Sequence, residues 1–551
     1  MTTAENKKEN IESTTESATQ NITAKLWEMA NNLRGNMDAS EFRNYILGFM
    51  FYRYLSERQE KYLEDQNLLD LDDNKNINDV YRKQASGDDL EDYIQEISSG
   101  LGYVIPPEFT WATIVEKAEQ KKIQPSDYQE MFDEFDKNAM LNVNAQQDFR
   151  EIFADVNLNN SRLGTSTTSR AKALTGIVEL VNEFDYQENG RDVLGDVYEY
   201  LIAQFAGNSG KKAGEFYTPH QVSRVLAKLV TLDAPDDKQF TVYDPTMGSG
   251  SLLLTVKNEL PRREQKGSVH FHGQELNTTT YNLARMNLMM HGTDYQNMDL
   301  RNADTLEQDW PDGTDTDGVD RPRSFDAVVA NPPYSQKWDN NANKLKDPRF
   351  KDYGRLAPKS KADFAFVQHA LYHLKEDGTM AIVLPHGVLF RGAAESAIRQ
   401  KIIEKNWLDA VIGLPAGIFF STGIPTVVLV FNKNRANKDI LFIDASNDFE
   451  KGKKQNILRD SDIDKIIETY NERKDVDKYA HVADFDEIEE NEFNLNIPRY
   501  VDTFEEEEPI DINEVKAEIA KLDKEIAELE AEFAEMEAQL VETKPHRKEG
   551  K

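Results

Sequence analysis

The chain predicts an α/β fold: a doubly wound, mostly parallel sheet, preceded by a helical domain and followed by a heptad-patterned helix. Three observations carry this. Helical periodicity dominates residues 26–184, short apolar runs alternate with helical stretches from about residue 240, and an apolar repeat spaced four and three occupies residues 515–540. With 551 residues the chain exceeds one core, and 39% apolar residues suffice for two or three domains.

The elements follow in chain order. Residues 1–20 are polar and aperiodic and read as a disordered tail. Residues 21–184 form the helical domain. Leu26, Trp27, Ala30 and Leu33 share one face, and Ser40 is placed to cap the apolar helix "EFRNYILGFMFYRYLS". Pro106, Pro107 and Pro125 interrupt the helices that follow.

Residues 185–475 form the sheet domain. "QFTVYDP", "SVHFHGQEL", "FDAVVANPP", "GTMAIVLP", "LDAVIGLP", "TVVLVFN" and "ILFIDAS" read as strands. The last two are too close for a crossover helix, so they are expected to pair as an antiparallel hairpin at or near the sheet edge. Residues 476–551 form a C-terminal extension. Its stripe runs Val515, Ile519, Leu522, Ile526, Leu529, Phe533, Met536 and Leu540 and requires a helical partner, supplied by another subunit or by the chain's own domain.

Composition limits the chemistry. There is no cysteine, so thiolate metal sites are excluded and no metal is expected. No apolar run approaches the ~18–20 residues of a membrane span, and no signal-peptide core opens the chain, so a cytoplasmic location without membrane contact is expected. A net charge of −34 opposes unaided nucleic-acid binding; a local basic patch or a partner would be needed.

"TVYDPTMGSGSLLLTV" reads as strand, glycine turn and helix. Gly248 and Gly250 let backbone amides approach a ligand, and Asp244 ends the strand as an acceptor. Glu275, in "GQELN", lies 31 residues later at the end of the next strand, placed for ribose hydroxyls. Asp304 follows a third strand and is placed for an adenine amino group. Phe216 and Tyr217 in "GEFYTP" are candidates to pack on the cofactor, while Thr218 and Pro219 open a helix. "GNSGKKAGEFYTP" lacks the spacing of a phosphate-binding loop.

"NPPY" ends the strand Asp326–Ala330. The side-chain oxygen of Asn331 and the carbonyl of Pro332, held by the rigid Pro332-Pro333 pair, offer two acceptors to a planar NH2 group. Drawing on both hydrogens turns the nitrogen lone pair toward an electrophile. Tyr334 adds a face on which an extruded base stacks. The next segment, 335–362, has eight lysines and arginines against three aspartates, and is either a phosphate-contacting loop or a solvated surface.

In this order "FYTP", "DPTMGSG", "GQELN", "NAD" and "NPPY" resemble the gamma-ordered amino-methyltransferases. More closely, residues 20–500 resemble the modification (M) subunit of type I restriction-modification systems, through "LWEMANNLRGNMDASEFRNYILGFMFYRYLS", "LPHGVLFRGAAE" and "LPAGIFFSTGIPTVVLVF". The resemblance implies a class I methyltransferase fold and transfer of a methyl group from S-adenosyl-L-methionine to N6 of adenine in double-stranded DNA. It implies cofactor contacts from Glu215, Phe216, Tyr217, Thr218, Pro219, His220, Gly248, Ser249, Gly250 and Glu275, supported by Asp244 and Asp304. Asn331, Pro332, Pro333 and Tyr334 are implied as the catalytic stretch, with Phe419 or Phe420 completing the base pocket. His220 stands where some relatives carry arginine. The implied partners are a specificity (S) subunit, joined by two M subunits, and a restriction (R) subunit. Two competing readings are a protein glutamine methyltransferase, since this motif binds any planar NH2 group, and a non-catalytic assembly subunit.

Overall fold

A computed structural model describes residues 27, 37, 39–71, 76–183, 187–188, 191–192, 194–208, 218–235, 238–260, 269–310, 323–419, 423–452, 455–503 and 512–539. The chain divides into two compact units, residues 1–501 and 502–551.

The first unit is organised around helix α1 (Ala39–Asp65). Its apolar residues are too dense for a surface stripe, and Ile46, Leu47, Phe49, Met50, Phe51 and Tyr52 are fully buried. Helix formation starts at Ala39, so Ser40 lies inside the helix and not at its cap. Pro125 opens the helix Pro125–Ala139 at its first turn, with a reciprocal Gln124–Asp127 capping box satisfying the first amides. Two rings of this helix pack on Phe153 in a turn that follows it: Phe132 stacks on it at 4.7 Å, and Phe135 meets it edge-on at 5.1 Å. Helices α2 (Thr167–Glu183) and α3 (Leu194–Asn208) complete the part before the sheet.

Among the described residues the main sheet has nine strands. They are β1 (Phe240–Asp244), β2 (Val269–Glu275), β3 (Met298–Asn302), β4 (Phe325–Ala330), β5 (Leu374–Pro385), β6 (Leu408–Gly413), β7 (Thr426–Asn432), β8 (Ile440–Asp444) and β9 (Ala480–Ala483). Their spatial order is β9-β8-β6-β7-β5-β4-β1-β2-β3, with β7 and β9 antiparallel to their neighbours and the rest parallel. The expected α/β class, a mostly parallel sheet with a helical N-terminal region, is the one observed. Alternate residues feed two apolar layers: Val242, Ala327, Val329 and Val383 enter one, Tyr243, Val328, Ala330 and Ile382 the other.

The expected hairpin is not formed. Strand β7 lies between β5 and β6, so both its edges are hydrogen-bonded, and β8 pairs with the far side of β6. Strand β9 then covers β8 antiparallel, carrying the sheet past residue 475.

Helices α4 (His220–Thr231), α5 (Ser251–Glu259), α6 (Thr278–Met290) and α7 (Asp363–Tyr372) pack beside the strands. Arg285 of α6 is 2% exposed, and its Nη1 donates to the carbonyls of Gln147, Asp148 and Arg150 at 3.0–3.2 Å. With Tyr54 Oη donating to the Met289 carbonyl at 2.6 Å, this ties the helical region to the helix that follows β2.

The second unit contains helix α8 (Ile512–Gln539). The described positions of its apolar stripe, Val515 to Met536, are 42–65% exposed; Leu540 lies outside the described residues. Among the described residues no helix is long and apolar enough to cross a membrane.

Candidate active site

A cleft of about 380 Å³ opens at the carboxyl ends of β1, β2 and β4, where a doubly wound sheet presents its loops. Asp244, Gly248, Ser249, Glu275, Asp304, Thr218, Asn331 and Pro333 all line it. Residues spread over more than a hundred positions meet because parallel strands β1, β2 and β4 end side by side: Asp244 pairs in register with Gly273, and Tyr243 with Val328.

The glycine turn is built by this geometry. Gly248 (φ 55°) and Gly250 (φ 76°) take left-handed conformations, and Gly250 caps α5. Glu275 holds the turn from the side. One carboxylate oxygen accepts from the Gly248 amide at 3.1 Å, the other from the Asn277 amide at 2.8 Å. Gly273 leaves room for this approach, since a Cβ there would stand 2.4 Å from Met247 Sδ and that side chain would have to shift. Gly250 does not line the cleft; its contribution is conformational.

The acids differ in environment. Asp244 is 1% exposed, and burial, reinforced by the neighbouring Glu275 carboxylate, pushes its pKa up to about 7 despite hydrogen bonds from Thr246. Burial also raises Glu275, partly offset by its backbone amide donors. Asp304 accepts from the Leu306 amide at 2.9 Å, which shapes the loop after β3.

Asn331 stands at the cleft wall with its amide orientation set on both sides. Its Nδ2 donates to Thr218 Oγ1 at 3.0 Å, and its Oδ1 accepts from Tyr334 Oη at 3.0 Å. Burial, with Asp363 nearby, raises the Tyr334 pKa, which keeps the phenol protonated and donating. Pro332 is buried, and neither it nor Tyr334 lines the cleft. The Tyr334 ring meets Phe419 edge-on, at 5.9 Å and 80°. Ser335, at φ 53°, donates its amide to Asp363 Oδ1 at 2.8 Å, and Asp363 is paired with Arg391 at 2.7 Å.

Of the stretch 215–220, Thr218 lines the cleft, Pro219 is buried ahead of α4, and His220 is exposed on the first turn of that helix, outside the lining. Glu215, Phe216, Tyr217 and Phe420 lie outside the described residues.

The chain matches the N-6 DNA Methylase family over residues 189–509 and the HsdM N-terminal domain over residues 22–181. It is 38% identical over 510 residues to the type I restriction enzyme MpnII methylase subunit of Mycoplasma pneumoniae, covering 89% of this chain and 91% of that one. The chain belongs to the N-6 DNA methylase family. This methylase is also 29% identical to the MjaVII methylase subunit of Methanocaldococcus jannaschii, over 87% of this chain and 78% of that one. Among solved structures, it is similar to the type I restriction-modification methyltransferase subunit from Streptococcus thermophilus: TM-score 0.80, 43% identity, 88% of this chain and 100% of that one.

The methylase cleft also contains residues that sequence reasoning passed over. Gln274, beside Glu275, accepts a short hydrogen bond from Tyr243 Oη, and Thr305, beside Asp304, donates to the Pro245 carbonyl at 2.6 Å. Both sit one residue from a recognised acid, which was the available signal. Phe366, on α7, had none, because only tertiary packing brings it to the cleft.

A buried network lies behind the cleft. Tyr243 Oη bonds His369 Nε2 at 2.7 Å, His369 Nδ1 bonds Arg349 at 3.0 Å, and Arg349 donates to the Thr305 carbonyl at 2.7 Å. His373 bonds Asp309 and the Arg323 carbonyl, so the ring nitrogens of this Asp309–His369–His373 group are committed to hydrogen bonds. In a second group, His270–His272–Asp299, the aspartate is paired with both Arg301 and Arg323 at 2.8 Å.

Proposed function

We propose that this protein is the modification subunit of a type I restriction-modification complex, an adenine-specific DNA methyltransferase that acts on N6 of a base turned out of the duplex and takes its methyl group from S-adenosyl-L-methionine. One observation carries the reading: Asn331 shares a cleft wall with Asp244, Glu275 and Asp304. An acceptor for a planar NH2 group and a nucleotide-type acid set thus meet in one cavity.

The donor set suits that cofactor. Its volume, three carboxylates, glycine-turn amides and the apolar Met247, Leu252 and Phe366 match a ligand with a cation, a diol and an adenine ring. Glu275 and Asp304 would take the ribose and adenine ends, and Asp244 with the Gly248–Gly250 turn the amino-acid end. When bound, the cofactor supplies an electrophilic methyl group. Asn331 Oδ1 retains a lone pair beside the one Tyr334 uses, and with the Pro332 carbonyl it draws on the two hydrogens of the adenine amino group. Neither acceptor needs to be a strong base, because the proton leaves only as the nitrogen becomes cationic. Tyr334 offers its face to the base, and Phe419, edge-on to that ring, contributes to the other side of the base pocket.

The partners proposed are double-stranded DNA, a specificity subunit shared by two copies of this chain, and a restriction subunit. The exposed stripe of α8, with fifteen acids against three lysines over residues 501–540, suits a helical protein partner better than a phosphate backbone.

The test is to incubate the full chain and its specificity subunit with labelled S-adenosyl-L-methionine and DNA. The expected result is label on adenine N6, at least ~100-fold less for Asn331→Ala, with cofactor binding retained. Label on protein glutamine, or no label at all, would overturn the reading.

A further inference from the structure

Seven of the eight cations of residues 335–362 sort into two groups, and the eighth, Lys361, is half-buried. Lys344 and Arg349 turn inward. Lys344 Nζ donates to the Leu306 carbonyl at 2.7 Å and pairs with Glu307 at 3.0 Å. Arg349, 2% exposed, is spent on Asp347, Thr305 and His369. Lys337, Lys346, Lys351, Arg355 and Lys359 are exposed, and none has a carboxylate partner among the described residues. Solvation alone would not separate the set this way, since the inward pair commits two charges to holding the loop.

Two of the outward cations are carried on adjoining backbone next to the Asn331–Tyr334 loop. The Ala362 amide donates to the Gln336 carbonyl at 2.9 Å, and the Trp338 amide to the Lys359 carbonyl at 3.1 Å. This short ladder sets the backbone segment carrying Lys337 against the one carrying Lys359, and Gln336, the residue before Lys337, lines the cleft. Trp338 pins the ladder: it is 6% exposed, and its indole donates to the Pro358 carbonyl at 3.0 Å. At the other end, Asp363 holds the Ser335 amide and is itself paired with Arg391.

We propose that Lys337 and Lys359 form a phosphate clamp that holds the DNA backbone next to the extruded base. The proposal rests on the function proposed above and names the part of the chain that touches the strand. Two ammonium groups on a backbone already fixed lose little freedom on binding, and phosphate contacts set register while leaving sequence choice to other groups. A duplex backbone fits better than an acidic protein surface, because these lysines are a local basic exception in an acidic chain and lie beside the base site, where phosphates pass wherever a base is turned out.

The experiment uses the full chain assembled with its specificity subunit. Methyl transfer to DNA is measured at limiting DNA from 50 to 200 mM salt for the wild type, for the double variant Lys337→Gln, Lys359→Gln, and for the corresponding double arginine variant. The glutamine variant is expected to show a log–log salt slope shallower by about 2, roughly one per lysine, and a lower kcat/KM at 50 mM salt. The cofactor Kd and Tm are expected to hold, and the arginine variant to restore the slope. An unchanged slope would overturn the clamp. A parallel loss of cofactor affinity that arginine does not rescue would assign the lysines to the fold. A wild type that methylates no adenine would instead remove the underlying function, independently of the clamp.

Discussion

Tyr334 donates its hydroxyl hydrogen to Oδ1 of Asn331 at 3.0 Å, so the aromatic ring proposed to receive a base also orients the amide proposed to receive its amino group. Thr218 fixes the other end of that amide at 3.0 Å. The acceptor is therefore preorganised before any substrate arrives.

This linkage separates two roles of Tyr334. Tyr334→Phe keeps the stacking face and loses only the hydroxyl, while Thr218 still holds Asn331; kcat is expected to stay within about 5-fold of wild type. Tyr334→Ala removes the face and is expected to lower kcat/KM by about 10- to 100-fold. Steady-state methylation kinetics distinguish them, and equal losses would assign the effect to the hydroxyl.

Asp244 provides a pH prediction. Its pKa is pushed up to about 7 by burial and by Glu275, and it must be ionised to serve a cationic ligand group. Cofactor affinity, followed by calorimetry, is expected to fall by up to ~10-fold per pH unit below 7 and to level off above it. The stability effect has the opposite sign. A carboxyl whose folded pKa is raised above its unfolded value of about 3.9 disfavours the folded state increasingly as pH rises from ~4 through ~7. Asp244→Asn is therefore expected to raise the Tm of the unliganded protein at pH 8 while weakening cofactor binding and flattening its pH profile. A variant that binds the cofactor as well as wild type would remove Asp244 from the site.

Arg349 links the basic loop to the cleft wall. Arg349→Met leaves Asp347 unpaired and withdraws a donor from the Thr305 carbonyl and His369. The expected cost is about 3 kcal/mol by urea denaturation, with weaker cofactor binding. Arg349→Lys should recover little, because an ammonium cannot reproduce the guanidinium's several fixed donors. A loss below ~1 kcal/mol would show the network to be dispensable.

The sequence by itself determined the strand–helix alternation, the helical N-terminal region and the placement of Asp244, Glu275, Asp304 and Asn331 at strand ends. These are local properties: apolar period, glycine turns and proline breaks are written over a few neighbouring residues. Only the tertiary structure decided strand order. Nothing local to residues 426–444 states that β7 will enter between β5 and β6 and leave β8 to pair beyond β6. It also decided that Glu275 braces the Gly248 turn, that His220 lies outside the cleft lining, that Phe366 enters it, and that Lys344 and Arg349 are anchors while Lys337 and Lys359 remain exposed. Charge and motif identify which residues can bind a ligand. Long-range packing selects which of them face it, because burial and hydrogen-bond partners come from segments tens to more than a hundred positions away.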